Sequence, residues 1–236
     1  MISIPAQTRG RADHGWLKSQ HTFSFADYYD PKRMGFGALR VINDDAVAPG
    51  MGFGTHPHRD MEIISLPLSG SLKHQDSQGN KTVIKKGEVQ IMSAGTGIAH
   101  SEYNGSDNDE VRFLQIWVMP KRTGLPPRYD QKTYELRPNV FTEVVAPDGG
   151  PSAVSINQDA WFSLGKFSSG GEVTYERKRD GNGVFVFLLS GKALVSGERL
   201  GPRDAVGITE TGSVSLQFTA DAEVLVMDVP MQWAQS

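Results

Sequence analysis

Short runs of apolar or alternating residues recur along the whole chain, and almost every one is closed by glycine or proline. Thr82-Val83-Ile84 and Val89-Gln90-Ile91-Met92 read as strand pieces broken by Lys86-Gly87-Glu88. The run from Val111 to Met119 is apolar on both strand faces from Phe113 onward, as expected of a strand covered on both sides. Gly183–Leu189 and Ala222–Val229 read the same way in the second half. No long stretch carries helical periodicity. The pattern predicts an all-β protein of many short strands joined by turns.

Between Pro120 and Ala160 proline and glycine accumulate, at Pro126, Pro127, Pro138, Pro147, Gly149, Gly150 and Pro151 among others. Both residues interrupt helices and ladders, so this region reads as a connector. We therefore expect a first domain over residues 1–130 and a second over 131–236. Leu68-Ser69-Gly70, followed by an alternating strand, recurs as Leu189-Ser190-Gly191, and Gly87–Ile91 has a counterpart in Gly201–Val206. The shared order points to duplication of one β-domain. The copies differ in chemistry, because all 6 histidines lie in the first 100 residues. The repeat offset puts Arg177 and Arg179 where the first copy has His56 and His58.

Composition narrows the function. The 236 residues are 38% hydrophobic, with a net charge of -3. Mean hydropathy is -0.36. No basic excess exists to neutralise phosphates, which argues against direct nucleic-acid binding. No apolar run is long enough to span a bilayer, and the first residues lack the charged and apolar regions of a signal peptide, so a cytoplasmic location is expected. There is no cysteine. A metal site would therefore have nitrogen and oxygen donors.

Two segments carry that chemistry: His56-Pro57-His58 and His100-Ser101-Glu102. Each places metal-capable side chains at i and i+2, which share one face of a strand with Cα atoms roughly 6.6 Å apart. Two facing strands of this kind would surround one ion with three imidazoles and a carboxylate. Such a set suits Fe, Mn, Ni, Cu or Zn and leaves positions open for water, oxygen or substrate. Glu62, four residues beyond His58, is nominally on the same face and is a second source of the carboxylate. Pro57 has no N–H and would disfavour a central strand, whereas a site near a strand end or barrel rim would tolerate it. His74 is read as a solvated or packed histidine, or as a hydrogen-bonding neighbour of the ligands. His14 and His21, with Trp16, Phe23, Phe25, Tyr28 and Tyr29, are expected to pack across the barrel, with lining of the pocket mouth as the alternative. Arg59 should point away from the metal into an ion pair. Arg177 to Arg179 reads as a solvated charged run.

The glycine context gives these residues a family likeness. Gly50…His56-x-His58-x3-Glu62…Gly70 resembles the first cupin motif and Gly97-x2-His100-x3-Asn104 the second, although the Glu-to-Gly spacing is off by one and Gly95 stands where proline is usual. More closely, the chain resembles the pirin family. The likeness is carried by His14-Gly15-Trp16-Leu17, His21-Thr22-Phe23-Ser24-Phe25, Gly54-Thr55-His56-Pro57-His58-Arg59, His74-Gln75-Asp76-Ser77 and Met92-Ser93-Ala94-Gly95 through His100-Ser101-Glu102. It spans about residues 10–120; the second half shares only the general β pattern.

The resemblance implies two cupin-type jelly-roll β-barrel domains packed face to face, with one divalent transition metal, Fe(II) first among candidates, in the N-terminal barrel. It implies His56, His58, His100 and Glu102 as ligands, with Glu62 near them or as an alternative. The implied activity is a dioxygenase that opens a flavonol such as quercetin with O2, Glu102 being the catalytic proton acceptor. The alternative is a metal-dependent regulator that binds a protein partner such as a transcription factor or enzyme. A monomer is expected, since the two domains would cover each other's sheet edges.

Overall fold

The alternation along the chain resolves into three sheets in the computed structural model, which describes residues 1–232. Among these residues the helical content is a single 3-10 turn, Ala6–Thr8. Among the described residues no helix is long and apolar enough to cross a membrane.

Two sheets form the first barrel. One has four strands in the order Gly52–His58, Ile98–Asn104, Ser71–Asp76, Lys81–Lys85. The other has seven, in the order Arg128–Thr133, Glu88–Ser93, Glu62–Ser69, Val111–Val118, Leu39–Val47, Leu17–His21, Gly10–Asp13. All their pairings are antiparallel. Pro57 lies on the edge strand of the smaller sheet, where a missing N–H costs no interior ladder bond.

Alternation decides what enters the barrel. Along Ser71–Asp76 the residues Leu72, His74 and Asp76 are buried, while Lys73 and Gln75 are exposed. Along Ile98–Asn104 the buried set is Ile98, His100, Glu102 and Asn104. The barrel interior is not uniformly apolar. Leu17, Val47, Leu72, Ile84, Val111 and Phe113 form one cluster, and Ile63, Met92, Ala94 and Ile98, with Trp117 against them, form another. On Val111–Val118 the inward side chain between Phe113 and Trp117 is Gln115. The polar residues described below occupy this middle layer.

A nine-stranded sheet builds the second barrel, running Ile2–Ile4, Ala205–Ile208, Asn182–Val195, Ser213–Pro230, Trp161–Phe167, Phe141–Ala146, Val154–Ser155. Glu172–Glu176 and Glu198–Leu200 pair onto the two longest strands. Register shifts at Leu188/Ser190 and Lys192/Ala193 let those strands bend and close the sheet on itself. Its interior is mostly apolar, with Val184, Val186, Val206, Leu216, Phe218 and Val226 packed together.

The largest apolar cluster lies where the two barrels meet. Ile42, Ile64, Leu66, Leu114 and Ile116 of the seven-stranded sheet pack against Phe162, Phe185, Phe187 and Leu225. This explains the strand that is apolar on both faces: Phe113 points into the first barrel and Leu114 into the interface. The chain crosses this interface twice. Ile2–Ile4 pairs with Ala205–Ile208 of the second barrel. Arg128–Thr133 pairs with Glu88–Ser93 of the first, so the expected division at 130/131 falls inside a strand.

Candidate metal centre

His56 and His100 are direct antiparallel partners on neighbouring strands, and His58 stands opposite Ile98. Their imidazoles converge: ring centroids are 4.5 Å apart for His56 and His100, 4.8 Å for His56 and His58, and 5.0 Å for His58 and His100. One ring nitrogen from each lies within 4.8 Å of the others. His56 Nδ1 donates to the Gly54 carbonyl at 2.8 Å, since a carbonyl only accepts, and this leaves its Nε2 lone pair free. Both ring nitrogens of His100 are buried without a hydrogen-bond partner among the described residues. Burial and neighbouring imidazoles hold His58 down to about 4 and His100 to about 2, so both rings are neutral at pH 7. Three converging imidazoles are the donor set that a borderline divalent ion takes, and the residues present fit such an ion.

Between His100 and Glu102 the register against the edge strand shifts by one residue, bringing Glu102 opposite Phe53. Glu102 is wholly buried and reaches toward the larger sheet. It accepts from Ser65 Oγ at 2.8 Å and from Gln115 Nε2 at 2.7 Å. Burial raises its carboxyl pKa, and the two hydrogen bonds oppose that shift. Its carboxylate forms a second close group with His74 and His100, again within 4.8 Å. His74 is buried rather than solvated, with Nε2 3.1 Å from Asp76 Oδ2.

Glu62 is engaged elsewhere. It accepts from Ser93 Oγ at 2.8 Å and from Asn157 through its backbone N and its Nδ2, both at 3.1 Å. It belongs to neither metal-capable group. Asn104 is a turn anchor, donating to the carbonyls of Val47, Ala48 and Asp109. Gly95, in the turn before the His100 strand, has φ +47° and an added Cβ would collide with the Leu125 carbonyl, which accounts for glycine there.

A cavity of about 260 Å³ opens beside the imidazoles. His56 and His58 reach it together with Phe25, Phe53 and Trp117. Trp117 lies edge-on to His58 at 5.0 Å. Of the N-terminal aromatic segment, His14, His21 and Phe25 line this cavity, whereas Phe23 packs against Phe185 in the interface. At its inner end His21 Nδ1 meets Asn43 Oδ1 at 2.8 Å, and the buried Asp45 has its pKa raised to about 7 by desolvation.

Arg59 is exposed and has no ion pair among the described residues, contrary to the pairing expected for it. Arg177, Lys178 and Arg179 pair with Asp180, Glu143 and Asp159 at the surface. Ser65, Gln115 and Trp117 do not stand out in the sequence. Their one signal is that Ser65 and Gln115 interrupt otherwise apolar strands.

Comparison with known proteins bears on the whole chain. Residues 5–118 match the Pirin family model and residues 143–229 match the model of the quercetinase C-terminal cupin domain. A quercetin 2,3-dioxygenase of Escherichia coli strain K12 is 44% identical over 229 residues, covering 95% of this chain and 96% of that protein. A pirin-like protein of Caulobacter vibrioides is 41% identical over 227 residues, covering 95% and 97%. The crystal structure of YhhW from Escherichia coli superimposes with a TM-score of 0.94 at 41% identity, covering 99% of each chain. The nickel(II) complex of the same bacterial pirin gives 0.92, covering 97% and 98%.

Proposed function

The chain belongs to the pirin family, and from that membership we propose that it is a metal-dependent dioxygenase opening the ring of a flavonol such as quercetin with O2. The observation that carries this reading is the convergence of three imidazoles, two of which, His56 and His58, stand at the wall of a cavity lined by Phe25, Phe53 and Trp117.

In this reading His56, His58, His100 and Glu102 hold one divalent transition ion, with Fe(II) the first expectation and Mn, Ni, Cu or Zn the alternatives. The bound ion supplies Lewis acidity toward the substrate's 3-hydroxyl and the means to bring O2 into reaction. Glu102 takes the proton of that hydroxyl on a carboxylate oxygen. Burial raises its pKa, which favours uptake of a proton by this carboxylate. Ser65 and Gln115 orient that carboxylate by donating to its two oxygens. Phe25, Phe53 and Trp117 seat the flat rings and exclude water. The quercetin 2,3-dioxygenase of Escherichia coli supports the activity, and the nickel complex of a bacterial pirin supports a metal at this centre.

The test loads metal-free protein with Fe(II), Mn(II), Ni(II), Cu(II) or Zn(II) in separate samples and adds quercetin under air. One carbon monoxide released per quercetin consumed, with at least one of the ions, is the expected result. Protein that holds its ion stoichiometrically and releases no carbon monoxide with any of them overturns the reading.

A further inference from the structure

We propose that the first barrel contains a second, inner metal position formed by His74, His100 and Glu102, overlapping the outer His56–His58–His100 position through the shared His100. The inference rests on the metal-binding part of the reading above and is independent of the dioxygenase activity.

Strand register builds the inner set. His74 lies directly opposite Glu102 on the neighbouring antiparallel strand, and His100 precedes Glu102 by two residues on the same face. Paired residues of this kind have Cβ atoms about 4.5–5.5 Å apart. The three ligand atoms lie within 4.8 Å of one another, and the residues are only 2%, 2% and 1% exposed.

The state of His74 makes it a prepared ligand. Asp76 Oδ1 accepts from the backbone N of Gln78 and Asn80 and from Asn80 Nδ2, while Oδ2 takes a further hydrogen bond from Asn80 Nδ2. These donors keep Asp76 an acceptor, so the hydrogen between it and His74 sits on His74 Nε2. Its Nδ1 is buried and without a partner among the described residues. A carboxylate that accepts from one ring nitrogen and presents the other is the usual support of a metal-bound histidine. Tyr129 packs on the His74 ring at 4.9 Å and 34°, which occupies the ring's face and leaves the in-plane lone pair unused. A buried polar atom left without a partner is costly and calls for an explanation. An ion between His74, His100 and Glu102 supplies it.

The two positions differ in their histidines and in access. The outer position has the imidazoles of His56, His58 and His100, two of them lining the cavity, with Glu102 as the carboxylate of the reading above. The inner set replaces His56 and His58 by His74, giving the two-histidine, one-carboxylate donor combination, and all its members are buried. A neutral imidazole has one lone pair to give. Because His100 and Glu102 serve both positions, they hold one ion at a time. The inner position therefore retains the same divalent ion away from the cavity.

The test removes the ligands that belong only to the outer set. His56→Ala/His58→Ala protein is loaded with Co(II), passed through gel filtration and assayed by elemental analysis and visible absorption. Retention of close to one equivalent is expected, with a spectrum shifted from that of the wild type, and adding His74→Ala should remove it. A folded double variant that binds no Co(II), beside a wild type that binds one equivalent, overturns the inner position alone. So does a triple variant that binds as much as the double. A wild type that binds none overturns both this inference and the metal reading. Should the alanine pair fail to fold, His56→Gln/His58→Gln preserves side-chain volume and is judged by the same outcomes.

Discussion

Glu62 and Asn157 are joined by two hydrogen bonds of 3.1 Å, from the backbone N and the Nδ2 of Asn157 to the two carboxylate oxygens of Glu62. The carboxylate at the position that a typical cupin gives to its metal here ties the first barrel to the segment leading into the second. Ser93 adds a third donor to the same group.

A substitution separates this role from metal binding. Glu62→Gln should leave metal content unchanged and lower stability by about 1–3 kcal/mol, the usual cost of weakening buried hydrogen bonds to a charged group. Elemental analysis and urea denaturation measure the two effects. Loss of the metal would make Glu62 a ligand.

Gln115 holds one oxygen of Glu102 at 2.7 Å from the opposite sheet. Gln115→Leu keeps the volume near that of the native side chain and removes the donor. Metal affinity or turnover should fall about 10–100-fold, as it does when a group supporting a ligand is lost. A competition titration with a chelator reads the affinity. An unchanged value for both would show that Ser65 alone suffices.

In the metal-free protein, His58 and His100 contribute stability that is lost as pH falls. His58 and His100 sit below the ordinary value of 6.5 when folded, at about 4 and about 2. The unfolded chain therefore takes up their protons first, near 6.5, and the folded chain does not until its own lower values. Their contribution is full above 6.5 and declines between 6.5 and about 4. Urea midpoints of metal-free wild type and His58→Gln/His100→Gln protein at several pH values within this window test it, because the carboxyl groups are common to both and the wild type should lose more stability as pH falls. Parallel pH dependences of the two proteins would contradict it.

Asp45 acts in the opposite direction. Burial raises its pKa from 3.8 to about 7, so the unfolded chain loses this proton first and stability declines as pH rises between those values. Asp45→Asn removes the ionisation and should stabilise the protein at pH 8 by up to about 4 kcal/mol, because each tenfold change in proton affinity is worth about 1.4 kcal/mol. At a pH of about 3.5, below both values, the gain should be small. Thermal unfolding of both proteins at the two pH values checks this, and a variant equally or less stable at the higher pH would count against a neutral Asp45.

Much of the site is legible along the chain. His56 and His58, and His100 and Glu102, share faces because strand alternation is a local property of the backbone. The absence of cysteine limited the donors to nitrogen and oxygen, and the run from Phe113, apolar on both faces but for Gln115, announced a strand covered on both sides. The Leu-Ser-Gly repeat pointed to a second β-unit, and the lack of histidine beyond residue 100 pointed to its lack of ligands. In the structure that unit is filled by apolar side chains.

Partners across strands and sheets are a different matter, because register is the outcome of many distant contacts. Nothing near His74 in the sequence indicates that it stands opposite Glu102, and a one-residue register slip would have turned its side chain outward. Only the closing of one sheet over the other brings Ser65 and Gln115 to the Glu102 carboxylate. Only the docking of the second barrel's leading segment gives Glu62 the hydrogen bonds of Asn157. Alternation along each strand determined which side chains face inward; the register between strands and the packing of sheets decided which of those side chains meet.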